Sequence, residues 1–473
     1  MIGSKQLVLD WQTWLRGMSS GSEIADGGFS DETEAVNLIA DPGVVYAPPS
    51  NVDGDSDVIL TGNIVASIPD HNVADIDSRL LVADDGTFYK YNGTKLQYPN
   101  EASAEDSANT FARGFTDAIN FAGASFFTSK EKITKWSAAS TFDHDYTTSA
   151  FANTAYPHPA LVFENNAFYG DGNILLRQTT VTGTPTAILT LSSDQVIIAL
   201  GIDPGTGKML ISTTQTLNIS NTLASTNKVH WYDGFSNKTS KTITVEDQVT
   251  AFHSHGGNVF VGYGTNLGYL TGSGINFLRN LSNVTLSQAD LPYKHNFASI
   301  GKTLYVIDGS KVLAYGEAVT GQKIFYYAYK RQSGSGNLTC IMNAGNNKLG
   351  FGYATTTFRT INITSKSNMD VLDLYTNWIS FGRPVQIRSI DVHFNEAIVS
   401  SANWTFSYFD QSSASAITTS LASLHGTQTS VLQINDIVGF TDKLYAVKLR
   451  FNNSTSTENK GIKRVVIHYD IVE

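Results

Sequence analysis

The stretch GGNVFVGYGTNLGYL, residues 256–270, decides the fold. It reads as a small turn, a short apolar strand, a second polar turn and another strand. The same order of features recurs as DSRLLVADDGTFYKY from Asp77, AGASFFTSKEKITKW from Ala122 and ENNAFYGDGNILLR from Glu164. It returns as GTGKMLISTTQTLNI from Gly205, IGKTLYVIDGSKVLAY from Ile300 and GNNKLGFGYATTTFRTI from Gly345. One strand residue from each copy marks the period: Leu81, Phe126, Phe168, Leu210, Phe260, Leu304 and Leu349. The gaps between them run 45, 42, 42, 50, 44 and 45 residues. That spacing matches the ~40–50 residues of a propeller blade. One such unit is a small antiparallel sheet that cannot cover both its faces. Stacking the units radially buries those faces and leaves only short edges. The expectation is an all-β chain, a β-propeller of about seven blades over residues 58–367, with six or eight allowed by its indistinct first and last units. An irregular β-sandwich with accidental spacing is the competing reading.

One copy overlaps GIDPGTGKML, residues 201–210, whose PGTGK resembles a phosphate-binding loop. That loop needs Gly-x-x-x-x-Gly-Lys-Ser/Thr between a strand and a helix. Here Ile202 occupies the first glycine position and Met209 the hydroxyl position. Apolar and β-branched runs on both sides, Gln195–Leu200 and Met209–Thr214, predict a hairpin instead. In it Pro204 sets φ, and Gly205 or Gly207 supplies a positive φ.

Composition narrows the function classes. Charged residues make up 16% of the chain, against ~25% in typical proteins. The net charge of −10 argues against wrapping nucleic acid or binding acidic membranes. It suits a surface past which DNA slides without sticking. The lone cysteine, Cys340, excludes an internal disulfide framework and reads as a small buried apolar residue. No export signal and no apolar run of about 18 residues is evident, so neither secretion nor a membrane span is expected. The Asn-x-Ser/Thr triplets at Asn218, Asn283 and Asn362 occur by chance in so Asn-, Ser- and Thr-rich a chain.

The two ends depart from the repeat. Residues 1–57 read as an extended arm lying on the chain's own surface or a neighbour's, with Pro42, Pro48 and Pro49 excluding helix. Residues 368–473 hold well-formed alternating strands and predict a β-sandwich. A parity shift between Ile387 and Ile390 predicts a bulge, and the final strand is expected to pair inside its sheet. A short helix between blades is expected within Ala102–Ile119.

This layout resembles tail and connector proteins of tailed bacteriophages. The likeness rests on WISFGRP (Trp378–Pro384), on GGFSDETEAVNLIADPGVVYAPP (Gly27–Pro49), and on KLRFNN and IKRVVIHYD near the C-terminus. The resemblance implies a virion structural role: a tail hub, nozzle, plug or adaptor, or a fibre-associated module. It implies tail proteins as partners, assembly into a symmetric homo-oligomeric ring, and location in the virion after synthesis in the host cytoplasm. It carries no active-site motif, so no enzyme activity and no cofactor are expected. A host-surface glycan-binding module and a sialidase-like glycosidase are the alternatives.

Chemistry-bearing clusters are few. His253 and His255 share one strand face but lack an evident third zinc ligand. Asp143, His144 and Asp145 have no Gly-x-Ser-x-Gly serine to activate. Asn51, Asp53, Asp55 and Asp57 alternate as oxygen donors would around a hard cation. That run lacks the expected glycine and closing glutamate, so it is the weakest kind of metal candidate. A sialidase would converge several arginines on a substrate carboxylate. Arg79, Arg113, Arg177, Arg279, Arg331 and Arg359 instead fall at varied positions in their repeats.

Overall fold

The computed structural model describes residues 5–10, 17–18, 31–32, 34–36, 39–41, 44–46, 52–53, 55–56, 60–71, 78–97, 115–138, 141–143, 146, 151–215, 226–281, 293–319, 322–330, 337–354, 356–363, 373–376, 378–400, 403–410, 417–420, 429–435, 443–455 and 460–472. Its described residues form seven small sheets and one eleven-stranded sheet. No described helix is long and apolar enough to cross a membrane.

The second to fifth sheets are each an uninterrupted antiparallel meander of four strands. The second begins at Phe115–Phe121, the third at Ala160–Phe163, the fourth at Gln195–Asp203 and the fifth at Val249–His255. The first sheet opens with Ile64–Pro69, the sixth with Phe297–Ile300 and the seventh with Leu338–Asn343. Each of these three also pairs with strands from residues 1–57: the first and sixth add them to four consecutive strands of their own, and the seventh takes its fourth strand from there. Asp55–Ser56 pairs parallel with Lys95–Gln97 on the outside of the first sheet. Gly17–Met18, followed by Asp31–Glu32, pairs parallel onto the sixth. Val52–Asp53 pairs antiparallel with Thr357–Asn362 and supplies the seventh sheet's fourth strand.

All seven residues that mark the sequence period fall on the second strand of a different sheet, and all are buried. Period-2 side-chain alternation explains why such strands are apolar on both faces. In the first sheet Leu80 and Val82 pack against Ala118, Phe127 and Trp136 of the second sheet. Leu81 and Ala83, on the opposite face, pack against Cys340, Met342 and Phe358 of the seventh. An apolar core lies between each successive pair of sheets, so every sheet serves two cores. Cys340 is fully buried in one of them.

Polar contacts follow the same circuit. Asn120 Nδ2 donates to Pro69 O at 2.6 Å and the Ala160 amide to Asp117 Oδ2 at 2.8 Å. The Ile197 amide donates to Gly172 O at 2.8 Å, and Ser254 Oγ to Ile202 O at 2.7 Å. His253 Nε2 lies 2.8 Å from Ser299 Oγ, and the Leu338 amide donates to Gly309 O at 2.9 Å. Arg79 Nε then donates to Asn343 O at 2.8 Å, joining the seventh sheet back to the first. This radial succession of small sheets is a β-propeller-like fold. Glycine is required where strands approach closest: a Cβ on Gly201 would sit 2.4 Å from Phe252 Cβ, and one on Gly352 2.6 Å from Ile64 O.

The eleven-stranded sheet gathers the C-terminal strands around a separate core that includes Leu374, Ile390, Trp404, Phe406, Leu449 and Ile467. Its longest strand, Ile379–Ile398, changes register between Ile387 and Ser389, the bulge expected from sequence. The last strand, Ile462–Ile471, lies between that strand and Lys5–Asp10, whose Leu7 packs on the core. Glu34–Val36 and Val44–Tyr46 join the same sheet. The helix expected within Ala102–Ile119 is not what the described part forms. Phe115–Phe121 is a strand whose Ile119 and Phe121 are buried against the third sheet, so tertiary packing overrides local propensity. The remainder of that stretch lies outside the described residues.

Candidate functional site: the plug at the centre of the ring

The connection from the fifth sheet to the sixth ends in Tyr293 and a single 3-10 turn, Lys294–Asn296. Asn296 closes it locally: its amide donates to Tyr293 O at 2.8 Å, and its Oδ1 accepts the Tyr293 amide at 3.0 Å. This short turn sits among the first strands of several sheets. The Tyr293 hydroxyl lies on Val65 O of the first sheet and 2.9 Å from Thr339 O of the seventh. Lys294 Nζ donates to Ala118 O of the second sheet at 3.0 Å and to Ala160 O of the third at 3.1 Å. Its third donor meets Asp117 Oδ1 at 2.5 Å. The turn also rests against the first strand of the fifth sheet.

Asp117 is aimed inward by an irregularity in its strand, where pairing shifts between Phe115 and Asp117. Its carboxylate is buried, which alone would favour the neutral acid. The ammonium of Lys294, the contact with His295 and the amide of Ala160 outweigh that penalty and hold Asp117 below the usual carboxylate range. His295 Nε2 lies 3.4 Å from Asp117 Oδ1. Burial lowers the His295 pKa despite the carboxylate, and Lys294 pushes it the same way. The resulting state is one paired charge couple with a neutral imidazole beside it. The Tyr293 phenol is pushed far up by burial, so it stays protonated.

A cavity of about 50 Å³ adjoins the cluster, lined by Thr116, Asp117, Leu200, Thr250, Phe252 and Lys294 among others. That volume suits one or two waters, well short of the ~300 Å³ at which small-molecule sites begin. All three ammonium donors of Lys294 already have oxygen partners. The cluster is built to hold the ring's centre shut. None of Asp117, Tyr293, Lys294 or His295 stands out in the sequence, because they share no spacing and meet only through the ring.

The residues that do stand out are dispersed. Asp53 and Asp55 of the alternating run belong to different sheets, opposite Arg359 in the seventh and opposite Lys95 in the first. Asn51 and Asp57 lie outside the described residues. Among the described residues no three His, Cys, Asp or Glu side chains cluster as a metal site would need. His253 and His255 share a face as expected, but they serve the interface between the fifth and sixth sheets. Ser299 Oγ lies 2.8 Å from His253 Nε2 and 2.9 Å from His255 Nδ1. Burial, then the neighbouring His255, lowers the His253 pKa to about 4. Asp143 is on a strand, while His144 and Asp145 lie outside the described residues.

The arginines do not converge on one pocket. Arg79 bonds Asn343 O, Arg177 lies 6.0 Å from the Phe235 ring, Arg279 lies 5.9 Å from the Phe325 ring and Arg359 lies 5.9 Å from the Tyr353 ring. Arg113 and Arg331 lie outside the described residues. The PGTGK stretch forms the hairpin expected of it, Gln195–Asp203 against Lys208–Gln215, with Gly207 at φ 63°. Asp203 organises the turn: its Oδ1 accepts the Gly205 amide at 2.9 Å and its carbonyl the Gly207 amide at 2.8 Å. Thr206 Oγ1 and Trp231 Nε1 both donate to Asp203 Oδ2, at 2.7 and 2.8 Å. Burial disfavours this carboxylate, but the donors from Trp231, Thr206 and Gly205 prevail and keep it ionised below the usual range.

No protein family matches the sequence, and no curated protein matches it. Solved structures do. YCF48 bound to D1 peptide is 10% identical, covering 68% of this chain and 98% of its own, with a TM-score of 0.44. The Dos1 propeller is 9% identical over 67% of this chain and 94% of its own, with a TM-score of 0.41. The computationally designed Ika8 protein is 14% identical over 70% of this chain and 96% of its own, with a TM-score of 0.40.

Proposed function

We propose that this chain is a structural subunit of a bacteriophage tail, a hub, nozzle, plug or adaptor that works through rigid contacts and without catalysis. In this reading the small sheets make a closed seven-bladed propeller, and the C-terminal strands close into a β-sandwich. The observation that carries the proposal is the plugged centre. A propeller enzyme uses the space where its first strands converge for substrate. Here the chain's own Tyr293–Asn296 fills that space, and the Asp117–Lys294 pair spends its charges on holding it. The strands from residues 1–57 add stiffness by tying three small sheets and the C-terminal sheet to one segment. Copies would assemble into a symmetric ring with other tail proteins. A net charge of −10 would let DNA pass without adhering.

Electron microscopy of the phage particle tests this. Rings of the protein on the tail axis are expected. Its absence from the particle, or release of reducing sugar from host-surface glycan by the purified chain, would overturn the proposal. A host-surface glycan-binding module remains the second reading, favoured by a groove away from the plug.

A further inference from the structure

We infer that the groove between the fourth and fifth sheets is a binding site for a short anionic glycan. The groove has a volume of about 430 Å³, within the ~300–1,000 Å³ of small-molecule sites. Its walls come from the Asp203–Lys208 hairpin, the start of Lys241–Val245 and the two outer turns of the fifth sheet. Lys208 and Lys241 face it together, and its rim is hydroxyl and amide: Thr206, Ser240, Asn258 and Thr271. Val259 and Leu270 supply an apolar floor.

The charges in the groove do not cancel. Both oxygens of Asp203 already accept hydrogen bonds from Gly205, Thr206 and Trp231, so this carboxylate is committed to shaping the turn. Lys208 Nζ donates to Ser240 Oγ at 2.8 Å, and Lys241 Nζ to Gly272 O. Lys241 also lies over the Trp231 ring, 4.6 Å from its centroid, and Trp231 is 3% exposed. An ammonium carries three donors, so each lysine can still serve a ligand oxygen from where it stands. Two anchored cations against the one Asp203 carboxylate leave a single net positive charge, which beside four neutral hydrogen-bonding side chains matches a ligand with one carboxylate and several hydroxyls.

The same geometry argues against a phosphate ligand. A phosphate cradle uses backbone amides of the glycine-rich turn. Here the amides of Gly205 and Gly207 are already bonded to Asp203. Binding in this groove would be independent of the tail role, since the groove lies apart from the plug and from the strands of residues 1–57.

Saturation-transfer NMR and titration of the full chain with 3′-sialyllactose, lactose and pyrophosphate would test the assignment. Transfer to 3′-sialyllactose is expected, with lactose at least about tenfold weaker and pyrophosphate no competitor. Lys208→Gln and Lys241→Gln should each weaken binding about tenfold, the loss of one charged hydrogen bond. Lys241 covers Trp231, so its replacement could disturb folding. Asn258→Trp, at an exposed position on the rim, should abolish binding without that risk. Equal binding of lactose, displacement by pyrophosphate, no transfer to 3′-sialyllactose, or undiminished binding by Asn258→Trp would each overturn the inference.

Discussion

The second to fifth sheets and their three neighbours solve the same problem differently. Each of the former is one contiguous meander, about 30–50 residues long, whose strands pair with what precedes and follows them. The first, sixth and seventh borrow outer strands from residues 1–57. The C-terminal sheet does the same with Lys5–Asp10, Glu34–Val36 and Val44–Tyr46. Local meanders need only turns and short loops, so their ordering entropy is recovered hairpin by hairpin. The strands borrowed by the sixth, seventh and C-terminal sheets must close loops of hundreds of residues before any ladder forms, whereas Asp55–Ser56 closes one of about forty to reach Lys95–Gln97. The difference teaches that the ring's middle can form early and alone, while the seventh sheet's fourth strand and several strands of the C-terminal sheet depend on one distant segment.

Removing that segment should break the comparison most severely. Deleting residues 1–10 strips six register pairs from Ile462–Ile471 and takes Leu7 off the C-terminal core. We expect a fall in melting temperature of roughly 10 °C or more, the consequence of losing several kcal/mol in a domain this size. Hydrogen exchange should show where the loss lies: Ile462–Ile471 should lose protection while Lys208–Gln215 in the fourth sheet keeps it. Equal loss in both would mean that the two kinds of sheet are not separable.

The plug is next in size. Asp117→Asn leaves the Lys294 ammonium facing a neutral amide in a largely enclosed site. Breaking a buried pair from one side costs about 3–5 kcal/mol, and the partial exposure of Lys294, 28% of its side chain, points to the lower end. The double variant Asp117→Asn with Lys294→Met should cost less than the sum of the singles, because it removes the stranded charge. Urea unfolding of all three variants reads this, and additive costs would show that the pair is not coupled.

A sharper and smaller comparison lies within one hairpin. Gly201→Ala places a methyl 2.4 Å from Phe252 Cβ at the interface of the fourth and fifth sheets. Overpacking of this kind costs about 1–3 kcal/mol. Gly205→Ala in the adjoining turn meets only Asp203 Oδ1, at 3.3 Å, and should stay within about 0.5 kcal/mol. Matched urea midpoints for the two variants would show that the sheets do not pack as closely as these contacts require.

What was legible in the sequence follows the same division. Leu81, Phe126, Phe168, Leu210, Phe260, Leu304 and Leu349 were readable as equivalent because two-faced burial makes each second strand an apolar run between turns. The bulge after Ile387 was readable because a parity shift is a local fact. The borrowed strands were not. Val52–Asp53 and Asp55–Ser56 are two residues each and carry no periodicity, so their alternating carboxylates read as cation ligands rather than as strand edges. The plug was invisible for a related reason. Asp117 and Lys294 are 177 positions apart in sequence, and only the ring brings them within hydrogen-bonding distance. The paired histidines were half-readable: their shared face follows from spacing, but Ser299, which both contact, lies in the next sheet.

The last comparison concerns acid, and it sets a contact inside one meander against a contact between two sheets. Burial, reinforced by Lys228, lowers the His230 pKa to about 4, and His253 is lowered to about 4 as well. An unfolded chain binds a proton to each near pH 6.5. Between those values the unfolded state holds more protons than the folded one, so stability falls as pH drops from about 6.5 toward 4 and these groups add no further loss below that. His230 sits within the fourth sheet, flanked by Thr213 and Thr242 Oγ1 at 3.1 and 2.8 Å. His253 bridges the fifth and sixth sheets through Ser299. Replacing either by Gln should flatten the pH dependence of the urea midpoint across that window. His253→Gln should also lower the midpoint at pH 7, because it disturbs a contact between sheets rather than one inside a meander. If both variants keep the parent slope, the titration of these two imidazoles is not what acid acts on. The carboxylates of the plug and of the Asp203 turn act lower on the pH scale: their folded pKa values lie below the usual range, so their stabilising contribution is lost only as pH falls below the ordinary aspartate value of about 3.9, beneath the window in which the two imidazoles titrate.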